Sequence, residues 1–254
     1  MAQARLGFWF RLAVAVLKPL STAVSRREWL HLERLPAEGG IVVAPNHISY
    51  YDPIVVSRVL WDAGRAPRFL AKASIFDVPF VGRVLRGADQ IPVYRQSAEA
   101  ATAMRDAVAA VRRGEAVVVY PEGTLTRDPA LWPMTGKTGA ARIALATGCP
   151  VIPLAHWGAQ QILPPYAKRV HIGVFHRKTI RALVGEPVDL SDLADREPTV
   201  EVLRIATDRI TAALTAGVAE LRGERPPVSP VDRHRTGLPE TGDAGVRYDP
   251  DVAG

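Results

Sequence analysis

His47 stands five positions ahead of Asp52 in the stretch Asn46-His47-Ile48-Ser49-Tyr50-Tyr51-Asp52-Pro53, directly after the apolar run Ile41-Val42-Val43-Ala44. Histidine titrates nearest to neutral pH. A carboxylate on one ring nitrogen fixes its tautomer and stabilises the imidazolium formed when the other nitrogen takes a proton. The pair is therefore a candidate general base with its orienting carboxylate. A plainer reading stays open on the same residues, with Asp52 as a helix N-cap and Pro53 as the first helical position. A second candidate, Tyr120-Pro121-Glu122-Gly123-Thr124-Leu125-Thr126, follows Ala116-Val117-Val118-Val119. There proline ends a strand, glycine lets backbone approach a ligand, and the hydroxyls with the glutamate can hydrogen-bond a polyol. Taken alone, it is a turn.

Both candidates follow strand-like runs, and such runs recur along the chain. Short apolar, β-branched segments predict strands at Ile41–Ala44, Arg68–Ala71, Gln90–Tyr94, Ala116–Tyr120, Val151–Ala155, Val170–Val174 and Arg181–Val184. Helices are predicted over 53–63, 98–113, 138–147 and 199–221; the second of these puts Ala101, Met104, Val108 and Val111 on one face and stops at Gly114, and the third closes before Gly148. Strand and helix in alternation predict an α/β domain whose largely parallel central sheet is flanked by helices. Sites in such sheets gather at the carboxyl ends of the strands, where His47 and the segment after Tyr120 both fall.

A length of 254 residues with 48% hydrophobic content suits one sizeable core. The net charge of +6 and the pI near 9.8 favour an anionic partner. Cys149 is the only cysteine, which leaves no intramolecular disulfide and suits an inert core thiol. Residues 222–254 hold five prolines and five glycines with few large apolar side chains, and are expected to be a disordered tail. Without them the remaining chain carries 27 basic against 20 acidic residues, so the basic character belongs to residues 1–221.

Residues 1–27 carry Arg5, Arg11, Lys18, Arg26 and Arg27 and no acid, among Phe8, Trp9, Phe10, Leu12, Val14, Val16, Leu17 and Leu20. The unbroken apolar run is far shorter than the ~20 residues a spanning helix needs. At helical spacing Arg11, Ala15, Lys18, Thr22 and Ser25 form a narrow polar or small stripe, the pattern of an amphipathic helix in the membrane interface. A core helix and a signal peptide are the competing readings; Arg11 and Lys18 interrupt the apolar region that a signal requires. The expected organisation is a membrane-interface helix over 1–27, a domain over 28–221 and a tail over 222–254.

Four ordered blocks together resemble the 1-acylglycerol-3-phosphate acyltransferase family of glycerolipid acyltransferases. They are Asn46-His47 with Asp52-Pro53, Gly87-Ala88-Asp89-Gln90-Ile91-Pro92-Val93-Tyr94-Arg95, Pro121-Glu122-Gly123-Thr124, and Val151-Ile152-Pro153-Leu154. Lys72 and Lys137-Thr138-Gly139 also look family-like. The likeness covers roughly residues 35–190, and its ordered conjunction is more specific than any single block. Two positions depart from the pattern. Leu125 stands where the family commonly has arginine, with Arg127 the nearest guanidinium, and Pro92 limits the second block to an edge or irregular strand.

The resemblance implies the glycerolipid acyltransferase fold and transfer of an acyl group from acyl-CoA or acyl carrier protein to lysophosphatidic acid, giving phosphatidic acid. It needs no cofactor beyond that thioester co-substrate. It makes His47 and Asp52 the catalytic pair and Glu122, Gly123 and Thr124 acceptor-binding residues. Arg95 is the first choice for the phosphate, because a guanidinium can contact two oxygens, with Lys72 and Lys137 in support. Glycerol-3-phosphate or another lysophospholipid as acceptor, hydrolysis of the thioester, and a non-catalytic lipid-binding role are the alternatives. Ser49 lacks the glycine-rich nucleophile elbow, so direct transfer is expected without an acyl-enzyme. His156, His171 and His176 are expected in core or surface roles. No metal-ligand spacing or nucleic-acid module is recognisable, and an anionic membrane surface accounts for the charge more economically. The expected location is the cell membrane, peripheral or monotopic on the cytoplasmic face.

Overall fold

A computed structural model of the chain describes residues 7–94, 97–166 and 177–232. The strands are β1 (Ser25–Leu30), β2 (Ile41–Pro45), β3 (Pro67–Lys72), β4 (Ile91–Val93), β5 (Ala116–Val118), β6 (Val151–Trp157) and β7 (Lys178–Val184). The helices are α1 (Phe8–Val24), α2 (Asp52–Asp62), α3 (Ala73–Phe76), α4 (Val81–Gly87), α5 (Ser97–Arg112), α6 (Gly139–Thr147) and α7 (Val200–Arg222). Among the described residues the strands form one seven-stranded sheet in the order β1-β7-β6-β2-β5-β3-β4, parallel throughout except between β6 and β7.

The apolar run ahead of His47 becomes the buried strand β2 because both of its faces are covered. Side chains alternate along it. Val42 and Ala44 pack with Ala107, Val111, Ile143 and Ile210 from α5, α6 and α7. Ile41 and Val43 pack on the opposite side with Val56, Val59 and Leu60 of α2. Pro92, which has no N–H for a ladder, sits in the three-residue edge strand β4, as its chemistry requires.

Several boundaries differ from expectation. The polar segment Ser25–Leu30 is a strand, paired parallel to β7, so Ser25, Arg26 and Arg27 belong to the sheet rather than to the preceding helix. No linker intervenes between α1 and β1. Asp62 ties this corner together: its carboxylate accepts from Arg27 at 3.1 Å, Trp29 at 2.9 Å and Arg58 at 3.2 Å. Arg58 also donates to the Lys18 carbonyl of α1 at 3.0 Å. On α5, Met104, Val108 and Val111 pack on the core as expected, Ala101 is exposed, and Ala103, Ala107 and Ala110 complete the buried face. Val170–Val174 lies outside the described residues. Of the expected tail, residues 224–232 are irregular, and the Val231 carbonyl accepts from the Thr135 N–H at 3.1 Å. Cys149 is half-buried, and burial pushes its thiol pKa up.

At the end of β6 the chain turns at Gly158 with φ 103°, and a Cβ there would lie 2.3 Å from the Thr179 carbonyl oxygen. Gly158→Ala combines a disfavoured backbone with a clash, and should cost roughly 1–3 kcal/mol of stability. Urea denaturation of the two proteins measures it; an unchanged midpoint would show that β7 yields at no cost.

Candidate active site

Strands β2, β3, β5 and β6 run in one direction, so the loops after Pro45, Lys72, Val118 and Trp157 meet at one edge of the sheet. Asp52 opens α2 there, fully buried. Its carboxylate does not reach forward to the first N–H groups of the helix, as an N-cap would; the cap position is Tyr51. Instead Oδ2 accepts from the backbone N–H of Ile48 at 2.6 Å and Ser49 at 2.8 Å, and meets His47 Nδ1 at 2.8 Å. With a carboxylate on Nδ1, the proton resides on that nitrogen and Nε2 keeps the lone pair. The His47 side chain is 17% exposed, so that lone pair can face a substrate.

The imidazole is held from above and behind. Its ring stacks on Tyr120 at 4.1 Å between centroids. Burial, then the charge of Asp52, pushes the Tyr120 hydroxyl pKa well up and keeps it neutral. Glu122, also buried, accepts from the His47 N–H at 3.0 Å through Oε1 and from the Met134 N–H at 3.1 Å through Oε2. The Thr126 N–H donates to the His47 carbonyl at 2.7 Å. Glu122 is thus a positioning carboxylate. Both its oxygens accept from backbone N–H groups, which ties the turn after β5 to the backbone of His47.

Asn46 and His156 join the ends of β2 and β6. Asn46 Nδ2 donates to the His156 carbonyl at 3.1 Å, the His156 N–H donates to Asn46 Oδ1 at 2.8 Å, and His156 Nε2 lies 3.0 Å from the Asn46 carbonyl. That last contact requires the proton on Nε2, which also lies 3.7 Å from Asp52 Oδ1. His156 is a core histidine, as expected, yet it stands directly behind the catalytic candidates. Ser49 is buried, donates to the Leu163 carbonyl at 2.6 Å and accepts from the Tyr51 N–H at 2.9 Å, which leaves it a structural hydroxyl.

The remaining expected residues fall around this core. Gly123 has φ +67°, and a Cβ added to it would lie 3.2 Å from Lys137 Cδ, so the lysine side chain crosses the glycine. Thr124 is half-buried in the same turn. Lys72, exposed, ends β3 in register with Val93. Arg95, two residues further on, lies outside the described residues. Leu125 is buried and presents no charge. Arg127 is 2% exposed, and among the described residues none of its guanidinium nitrogens has a hydrogen-bond partner; its Cζ lies 4.5 Å from the Tyr166 ring centroid. Asn46, Tyr120 and His156 gain roles that sequence spacing did not assign. For Asn46 and His156, the available signal was a polar residue ending each of two apolar strands. Among the described residues no group of three or more His, Cys, Asp or Glu side chains could hold a metal ion.

A family model described as Acyltransferase matches residues 26–157. A 1-acyl-sn-glycerol-3-phosphate acyltransferase of Bacillus subtilis (strain 168) is 27% identical over 195 residues, which are 76% of this chain and 86% of that protein. A chloroplastic 1-acyl-sn-glycerol-3-phosphate acyltransferase of Brassica napus is 28% identical over 62% of this chain, and the match spans only 43% of that relative. The chain likewise spans 42% of a similar chloroplastic protein of Arabidopsis thaliana. The crystal structure of PlsC, a 1-acyl-sn-glycerophosphate acyltransferase from Thermotoga maritima, superposes with a TM-score of 0.63 at 22% identity, covering 86% of this chain and 81% of that one. That likeness shows the fold.

Burial holds the His156 pKa below the usual imidazole value, with the Asp52 carboxylate opposing it. The unfolded chain therefore takes up a proton at higher pH than the folded one. Neutral His156 contributes its full stability above about pH 6.5 and progressively less as pH falls. His156→Gln keeps an N–H for the Asn46 carbonyl without the titration, so its thermal midpoint should fall less steeply between about pH 6.5 and 5. Parallel curves for the two proteins would refute this assignment. Glu122→Gln turns one acceptor into a donor facing a backbone N–H, and should cost roughly 1–3 kcal/mol by chemical denaturation.

Proposed function

The chain belongs to the Acyltransferase family, and from that membership and its site geometry we propose that it moves a fatty acyl group from a thioester to the free hydroxyl of 1-acyl-sn-glycerol-3-phosphate, giving phosphatidic acid for phospholipid biosynthesis. The observation that carries the reaction is the 2.8 Å contact between His47 Nδ1 and a buried Asp52 carboxylate already held by two backbone N–H groups. The acceptor is supported by the activity for which the bacterial and plant relatives are named. The donor is acyl-CoA or acyl carrier protein.

In this reading His47 Nε2 takes the acceptor hydroxyl proton as the oxygen attacks the thioester carbonyl. Asp52 steadies the imidazolium. The tetrahedral intermediate collapses with cleavage of the carbon–sulfur bond, and the departing thiolate recovers the proton from His47. Ser49 takes no part, consistent with its engaged hydroxyl. Gly123, Thr124, Lys72, Lys137 and Arg95 are proposed to receive the acceptor, with its phosphate on the cations. Arg127 joins them: a desolvated guanidinium without a partner is costly, and an anion is the partner that offsets the cost. We place the enzyme on the cytoplasmic face of the cell membrane with α1 lying in the interface. Among the described residues no helix is long and apolar enough to cross a bilayer, and α1 exposes Phe8, Val16 and Leu20.

Purified protein given acyl-CoA and 1-acylglycerol-3-phosphate should form phosphatidic acid, and His47→Ala or Asp52→Asn should lower kcat by about 100- to 10,000-fold. Unchanged turnover in the His47 variant would sink the mechanism. Full-rate CoA release without an acceptor would point to hydrolysis instead. Arg127→Met should raise KM for 1-acylglycerol-3-phosphate by about tenfold or more, and leave that for phosphate-free monoacylglycerol unchanged. An equal effect on both acceptors would remove Arg127 from phosphate recognition.

A further inference from the structure

Phe80, between α3 and α4, occupies φ 66° and ψ −54°, and the Val81 N–H donates across it to the Pro79 carbonyl at 2.8 Å. This is the γ-turn of the hand that L-residues resist, and a bulky side chain there carries a strain that glycine would avoid. The turn is tightly made. Gly82 approaches Phe76 so closely that a Cβ would lie 1.8 Å from the Phe76 carbonyl oxygen. Phe76 is buried beneath it, while Phe80 points outward at 64% exposure. Most of the phenyl ring faces solvent, and the ring contact it makes among the described residues is edge-on with Trp9 at 6.3 Å.

Phe80 is not isolated. Ile75, Val78 and Val81 are exposed around it, and α1 alongside exposes Phe8 at 70% together with Val16 and Leu20. Trp9 joins the two groups, edge-on to Phe8 at 5.4 Å and to Phe80 at 6.3 Å, and against Gly87 of α4. Scattered apolar exposure is ordinary on a protein surface, but a continuous row of this kind marks a binding face. Arg11 and Lys18 on α1 and Arg83 and Arg86 on α4 are exposed, against the acid Asp77 in the turn. Aromatic and aliphatic tips among cations complement an anionic bilayer surface.

We propose that the turn from Ile75 to Val81 is a second bilayer-contacting element, and that the strained backbone at Phe80 serves to drive its ring into the interface beside α1. The inference shares its partner with the membrane attachment proposed for α1, and adds a wedge that follows directly from the carboxyl end of β3, the edge of the sheet where His47 opens.

The test measures partition of the full chain onto vesicles of phosphatidylcholine containing phosphatidylglycerol, with thermal midpoint and acyl transfer to a short-chain, water-soluble acceptor followed in parallel. Phe80→Gly should lower the partition coefficient by about tenfold or more. It should raise or preserve the thermal midpoint, because glycine accepts the turn, and leave transfer to the soluble acceptor unchanged. Phe80→Trp should restore binding. The α1 variant Val16→Ser/Leu20→Ser separates the two elements: if it loses binding while Phe80→Gly partitions like the unmodified protein, the α1 reading stands and the wedge is overturned. Dissociation of a dimer by Phe80→Gly without a change in vesicle binding would overturn it as well, by making the patch a contact between copies. Loss of transfer to the soluble acceptor in the unmodified protein would strike the proposed reaction and not the wedge.

Discussion

The buried carboxylate of Asp52 sets the terms for everything around it. A charge with no solvent exposure must be met by donors, and one oxygen of this group gathers the His47 imidazole and two successive backbone N–H groups. Those bonds bend residues 47–49 into a tight arc at the mouth of β2. The arc requires a rigid base, which the doubly covered sheet supplies. Removing the carboxylate would release the ring and also leave two buried amides without an acceptor, so structure and chemistry share one group.

Around that arc lie restraints of long sequence range. Glu122 fixes the backbone of His47 from β5, and Asn46 with His156 fixes it from β6. The Tyr120 ring limits rotation of the imidazole from its open face. Two of the restraints come from the segment after β5 and one from β6, both neighbours of β2 in the sheet. The imidazole is therefore as well placed as the sheet itself, which is the kind of preorganisation that proton transfer rewards.

Much of this was legible in order along the chain. The apolar run before His47 indicated a buried strand, Pro92 indicated an edge, and Gly148 marked the end of α6, because each depends on local backbone chemistry. The strand Ser25–Leu30 was hidden, since SRREWL is polar and is retained in the sheet by its register with β7 rather than by its own pattern. Glu122 suits a polyol by its type and its turn, and only the fold shows its oxygens accepting from backbone 75 residues and 12 residues away. His156 was hidden for the same reason, lying 110 residues from Asn46. On α5, the spacing of Met104, Val108 and Val111 indicated the buried side, but alanine is small enough to suit either surface or core, so Ala101 was not told from Ala103, Ala107 and Ala110. Phe80 carries no warning in its sequence that its backbone is left-handed.

The direct passage of α1 into β1 has a mechanical consequence. An enzyme tethered to a surface by a flexible linker samples a range of heights and tilts, and its encounter with substrate follows the linker's statistics. Here the helix and the first strand share a peptide bond, and Arg58 and Asp62 brace the joint. The domain cannot swivel on such a mount. If the helix lies flat in a leaflet, the altitude and tilt of the imidazole above the lipid are properties of the fold, and only hydroxyls presented at that depth come within its reach.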